Sequence, residues 1–231
     1  NRDSHEVYYF DPKTDYAPTT AISSISWDDP NFPNIEGFGV WAAKCNFTMG
    51  PDGKMYSRML GGNLVRIDVE NARGENLTNG DLVGTKDGSA YGLVFDPQDE
   101  NVFYFSNNDK HCIYKYDLRT KECACWAGQE GKSGYLDGPI GQAMFNKPGQ
   151  MCVDSEGNII LTDTENHCIR KITMSTGYVS TLAGKPQNSG YVNGSAEDAQ
   201  FKKPLGICID NDDVMYIGDS ENRAIRRLAV E

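Results

Sequence analysis

The chain has 231 residues, with 33 acidic against 22 basic side chains and a formal net charge of −11, which argues against nucleic acid or an anionic membrane surface as its main partner. At 39% hydrophobic and 10% aromatic residues it can bury a core, which excludes a wholly disordered chain. Its 24 glycines and 10 prolines lie outside any low-complexity run and predict turns between many short elements, a β-rich pattern.

The first segment, about residues 1–22, contains SHEVYYFDPKTD and reads as the last two strands of a repeat, with His5 at a position that recurs later. A weak copy follows at about 37–80, including AAKCNFTMGPDGKMYSRMLGGNLVRID, and a clearer one at 88–127, including YGLVFDPQDENVFYFSNNDKHCIYKYD. The clearest spans 145–184, with strands expected near 149–154, 158–163, 167–172 and 178–183. Its first two turns, Ser155-Glu156-Gly157 and Thr164-Glu165-Asn166, are short enough to join adjacent antiparallel strands. A last copy at 201–231 supplies three strands. Without a gap, PGQMCVDSEGNIILTDTENHCIRKI from Pro148 aligns with PLGICIDNDDVMYIGDSENRAIRRL from Pro204. The linkers align too, so Tyr135 falls over Tyr191 and Phe145 over Phe201.

A repeat of four short strands and no helix predicts an all-β fold, a β-propeller of four-stranded antiparallel blades, because one small sheet cannot bury both faces until neighbours stack on it. About five blades are represented, two of them partial, in one propeller domain expected over 1–231. Both ends carry the third strand of a blade, so the chain reads as an arc of a six-bladed ring.

The run Asp163-Thr164-Glu165-Asn166-His167-Cys168-Ile169 resembles the NHL repeat, and the linker pattern GY-x-x-G followed by A-x-F-x-x-P resembles bacterial NHL proteins, some of which carry an IPT/TIG module. The sequence departs from that pattern at Arg223, which replaces the histidine, at Asn107, which replaces the aspartate, and at Gly61-Gly62. The resemblance implies an extracytoplasmic or cell-surface setting. Propellers similar to this one include a peptide-amidating lyase and calcium-dependent lactonases, which makes a metal-dependent lyase or lactonase the alternative.

The residues themselves favour a binding module. His111 and His167 occupy one repeat position, and equivalent positions in adjacent blades stand too far apart to share a metal, since packed sheets are already about 10 Å apart. They read as ties for the hairpin between second and third strands. Asp163 and Asp219 read as caps of the following turn, and Asp210, Asp212 and Asp213 as a plain turn lacking the further ligands of a calcium loop. With Asn166, Ile169, Asn222 and Ile225 they form the structural repeat motif. The same spacing argument leaves Cys112 with Cys168, and Cys152 with Cys208, unbridged, and the seven cysteines show no zinc-type CxxC pair.

Linkers and hairpins would build one face of the disk, where Trp126, Tyr135, Tyr191, His111, His167 and Arg223 are the candidate binding residues. Arg170, Lys171, Arg226 and Arg227 form a local basic stripe, although the net charge of −11 speaks against RNA. No metal site, cofactor or catalytic set is expected: the first strands offer mainly small and apolar residues (Gly92, Leu93, Gly149, Met151, Gly206, Ile207), and hydrolase, metalloprotease and nucleotide motifs are missing. Sequons occur at Asn46, Asn76 and Asn193, and no 18-residue apolar span or signal peptide is visible. The expected function is a non-enzymatic interaction module for a protein, peptide or glycan, with no nucleic acid and no membrane insertion.

Overall fold

A computed structural model describes residues 7–10, 18–22, 26–27, 47–58, 64–71, 73–77 and 91–229. His5, Cys45, Asn46 and Gly61-Gly62 lie outside the described residues. The chain forms two compact units, Asn1–Lys86 and Asp87–Glu231.

In the first unit, β1 (Val7–Phe10) pairs antiparallel with β2 (Pro18–Ile22). A five-stranded sheet follows in the order β3-β7-β6-β5-β4, from β3 (Ser26–Trp27), β4 (Thr48–Met49), β5 (Met55–Arg58), β6 (Leu64–Asp68) and β7 (Arg73–Asn76). Strands β4 to β7 form the antiparallel blade, and β3 adds to the edge of β7 in parallel.

The second unit holds three consecutive blades. The first contains β8 (Leu93–Phe95), β9 (Val102–Asn107), β10 (Cys112–Asp117) and β11 (Cys123–Gly128). The second contains β13 (Pro148–Val153), β14 (Ile159–Asp163), β15 (Cys168–Thr173) and β16 (Tyr178–Ala183), with a linker strand β12 (Gly138–Pro139) on the outer edge of β16. The third contains β17 (Pro204–Ile209), β18 (Met215–Asp219) and β19 (Ala224–Leu228). The expected strands are therefore present in order, and the additions are β3 and β12, both from linkers.

Stacking explains the burial pattern. β9 (VFYFSN) and β14 (IILTD) are buried at every residue because neighbouring elements cover both faces of the strand. Each seam has its own core. Val94, Tyr104, Ile113, Phe145, Met151, Ile159 and Leu161 fill the first, while Ile160, Ile169, Phe201, Ile207, Met215 and Ile217 fill the second. Burying one such side chain contributes about 1.5–3 kcal/mol. Strand β18 (MYIGD) alternates instead, with Tyr216 39% exposed where its repeat equivalent Ile160 is fully buried.

Candidate functional site

The linkers before the second and third blades fold back as small hairpins, closed by the bridges Leu136↔Met144 and Val192↔Gln200. One buried arginine anchors each hairpin to its blade. Arg170 leaves β15 with no solvent exposure and donates to the Asp163 carboxylate at 2.7 Å, the Met144 carbonyl at 3.1 Å, the Leu136 carbonyl at 3.0 Å and Asp137 at 2.6 Å. Its guanidinium lies 4.9 Å from the Tyr135 ring centre and 5.2 Å from that of Phe145. Arg226 repeats this on β19, donating to Asp219 at 2.9 Å, the Gln200 carbonyl at 3.0 Å and the Val192 carbonyl at 2.7 Å, between Tyr191 and Phe201.

The aspartates do more than end a turn. Asp163 makes no cap to the N–H groups of the 3-10 turn Thr164–Asn166. Its oxygens instead accept the Asn146 N–H at 2.7 Å, the Asn166 side-chain amide at 2.8 Å and Arg170. Asn166 donates onward to the Gly134 carbonyl at 2.8 Å. Asp219, Asn222 and Gly190 repeat the arrangement. Turn capping is thus corrected to a brace between blade and linker.

Burial pushes the Asp163 carboxyl up to about 6, while Arg170, Asn166 and the Asn146 N–H pull it down. Burial acts to lower Arg170, but Asp163, Cys168 and Asp137 outweigh it and raise Arg170 overall. The shift on Asp163 leans toward its neutral form and that on Arg170 toward its charged form. The geometry favours the ion pair, since three donors meet Asp163 within 2.8 Å and a carboxyl near 6 is ionised at neutral pH.

The histidines bridge blades. His111 and His167 take left-handed backbone at φ 55° and 58°, and their Nδ1 atoms accept the N–H of Lys147 at 3.1 Å and of Lys203 at 3.2 Å in the following blade. Burial and Lys147 hold His111 below the ordinary imidazole range, which keeps Nδ1 free to accept. A hydroxyl supports each contact: Ser106 donates to the Gly149 carbonyl at 2.7 Å and Thr162 to the Leu205 carbonyl at 2.9 Å. They tie seams rather than their own hairpins. Arg223 shares the left-handed conformation at φ 52°, but a guanidinium has no acceptor.

The structure separates the expected binding residues. Trp126 lies within β11, its ring 4.2 Å from that of Tyr104 and packed on the first core. Tyr135 is half-buried, with its hydroxyl 2.7 Å from Thr181 Oγ1, whereas Tyr191 is 60% exposed. Leu136 and Val192, which sequence reasoning passed over, sit on the hairpins at 46% and 43% exposure. Ile169 is fully buried, but Ile225 is 75% exposed. The basic stripe is corrected as well, because Arg170 and Arg226 point inward. Their recurrence seven residues after Asp163 and Asp219 was the available signal.

Asp210 accepts the N–H groups of Asp212 at 3.0 Å and Val214 at 2.9 Å, as a turn does, while Asp213 accepts the Ser155 N–H across the seam at 2.9 Å. Among the described residues no group of three His, Cys, Asp or Glu could hold a metal ion. In the first unit a cavity of about 600 Å³ is lined by Lys54, Arg66, Asp68, Asn71, Arg73, Gly74 and Glu75. Lys54 pairs with Asp68, and Arg66 with Glu75 and Asp52. No helix among the described residues is long and apolar enough to cross a membrane.

Residues 145–172 match the NHL repeat. NHL repeat-containing protein 2 from Gallus gallus is 30% identical over 152 residues, covering 65% of this chain and 19% of that protein. A solved Bacteroides thetaiotaomicron protein of unknown function superposes with a TM-score of 0.80 at 26% identity, over 99% of this chain and 54% of that one. A second structure from the same organism, described as an auxiliary nutrient binding protein, gives a TM-score of 0.64 at 28% identity, over 79% and 46% respectively. The chain therefore spans under a fifth of the chicken relative and about half of each solved structure.

Proposed function

We propose that this chain, an NHL-repeat β-propeller, is a non-enzymatic binding module that offers its linker hairpins to a protein, peptide or glycan in an extracytoplasmic setting. The observation that carries the reading is the arginine brace. It holds two equivalent hairpins rigid while Leu136, Tyr191 and Val192 face solvent. Fixed apolar groups on a polar scaffold lose little conformational entropy when a ligand covers them. The likeness to a nutrient-binding protein supports the reading for the class of activity alone.

A screen of the purified protein against glycan and peptide arrays tests this. A saturable ligand is expected, and the paired change Leu136→Ser and Val192→Ser should weaken it at least tenfold without altering the fold. Stoichiometric bound zinc or calcium together with metal-dependent turnover, or a ligand indifferent to those changes, would overturn it in favour of the enzyme reading.

A further inference from the structure

In the blade of β8 to β11 the arginine brace is replaced. Tyr114 stands where the following blade has Arg170, and Asn107 where it has Asp163. Neither is charged, so the ion pair is gone. Tyr114 donates instead to Glu130 at 2.7 Å, and the Asn107 side-chain nitrogen is buried without a hydrogen-bond partner.

Two sulfurs meet beside these residues. Strands β10 and β11 pair as Cys112↔Gly128, Ile113↔Ala127 and Tyr114↔Cys125, with a bulge at Trp126. Side chains alternate along a strand, so Cys112 shares a face with Tyr114, and Cys125, which stands opposite Tyr114, shares it too. Cys125 Sγ lies 3.8 Å from the carbonyl oxygen of Gly128, the residue paired with Cys112. The strands run close at this point, since a Cβ on Gly128 would stand 3.2 Å from Cys112 Cα. The two thiols are within hydrogen-bonding reach of each other. That contact holds Cys125 below the ordinary thiol range against the effect of burial, and it pushes Cys112 above that range with burial adding to the rise. Cys112 is fully buried, whereas Cys125 is partly exposed. Cys125 is thus the readier thiolate and the one that a reagent from solvent meets.

We propose that Cys112 and Cys125 are a redox-active pair that closes into a disulfide between β10 and β11 when a small-molecule disulfide such as oxidised glutathione serves as oxidant. Cys125 loses its proton to water and attacks one sulfur of the incoming disulfide, whose other sulfur leaves as a thiolate. Cys112 then gives up its proton and attacks Cys125 Sγ, expelling the second thiolate. The cysteine pair loses two electrons, the incoming disulfide gains them, and two thiols depart. The bond fastens the edge strand β11 to β10 at the repeat position where Arg170 faces Thr181 in the next blade. The choice of partner follows from the register. Cys123 stands opposite Tyr116, two residues farther along β11 from Cys112. Cys168 has the strand position of Cys112, but Thr181 takes the place of Cys125 beside it, so it stays a thiol and serves as an internal comparison.

The test is incubation of the purified chain with excess oxidised glutathione, alkylation of the remaining thiols, and mass mapping of tryptic fragments. Residues 111–115 and 122–132 should appear as one linked species that dithiothreitol separates, while Cys168 should remain free. Trypsin leaves Cys123 and Cys125 on one fragment, so Cys123→Ser, which should keep the link, and Cys125→Ser, which should abolish it, identify the partner. Amide exchange of residues 123–128 should slow at least tenfold on oxidation and recover on reduction, because the bond removes openings in which β11 leaves the sheet. Failure to link in excess oxidant, glutathione left on Cys125 without closure, a link that survives Cys125→Ser, or exchange of 123–128 unchanged by the link would each overturn the proposal.

Discussion

Replacing Arg170 with methionine keeps a long apolar stem between the Tyr135 and Phe145 rings while deleting every charged contact the guanidinium makes. Asp163, fully buried, would keep only the Asn146 and Asn166 donors. The Met144 and Leu136 carbonyls would lose their arginine donor. Breaking a buried ion pair from one side costs about 3–5 kcal/mol, because the surviving charge is left uncompensated. Arg226→Met in the last blade should cost less, about 1.5–3 kcal/mol. That arginine is slightly exposed, and Asn193 stands where Asp137 does, so one acidic partner is absent. Adding Asp163→Asn to Arg170→Met removes the stranded charge and should recover a substantial part of the loss. Native-state hydrogen exchange across β13 to β15 reads these effects locally, which avoids assuming that two units unfold as one. A cost for Arg170→Met below about 1 kcal/mol, or a double variant no more stable than the single, would show that the brace does not hold the hairpin as argued.

Other perturbations separate the remaining contributions. The depressed His111 titration predicts acid sensitivity: the native state holds the neutral imidazole, so stabilisation is present above the unfolded value near 6.5 and is lost as pH falls through it toward the lower folded value. A denaturation series from pH 8 to 5 should show this slope, and His111→Gln should flatten it. Thr162→Val removes the hydroxyl bonded to the Leu205 carbonyl at 2.9 Å and should cost about 1–3 kcal/mol, read as faster exchange in β17. Gly184→Ala forces a side chain into a left-handed site against the His167 carbonyl and should cost about 1–3 kcal/mol in urea unfolding. Ile160→Ala opens a cavity in the second seam and should cost about 2–5 kcal/mol, whereas its repeat partner Tyr216→Ala should stay within about 0.5 kcal/mol. Equal losses at those two positions would mean that the outer face of the last blade is covered.

The strands of the three blades were readable because each is a β-branched or aromatic run bounded by Gly, Asp or Asn turns, and the repeat states the reading more than once. Strands β3 and β12 were not. Each is two residues long, and Gly138-Pro139 has little intrinsic preference for a ladder; geometry imposed by the linker places it beside β16. Arg170 and Arg226 were misread for a different reason. Charged residues are almost never fully buried unless paired, and the partners that pay for this burial include linker carbonyls some 26 to 34 positions away, invisible to any local pattern. Trp126 stands at the end of the 88–127 copy, beside the linker, and no local pattern tells a ring that packs on the core from one that faces a ligand.

Four of the polar contacts that close the seams share one property. Ser106 and Thr162 seek carbonyl oxygens, and His111 and His167 seek backbone N–H groups. These four contacts grip the main chain of the next blade and ask nothing of its side chains, while polar side-chain pairs across the second seam, Ser155 with Asp213 and Glu165 with Lys203, lie at exposed or half-exposed positions. Such a joint tolerates sequence drift in either partner, and it allows a blade to be duplicated, exchanged or deleted without redesigning the contact. Lengthening or shortening the ring then requires whole repeats and few compensating substitutions, so blade number is a variable that this architecture leaves open to evolution and to engineering.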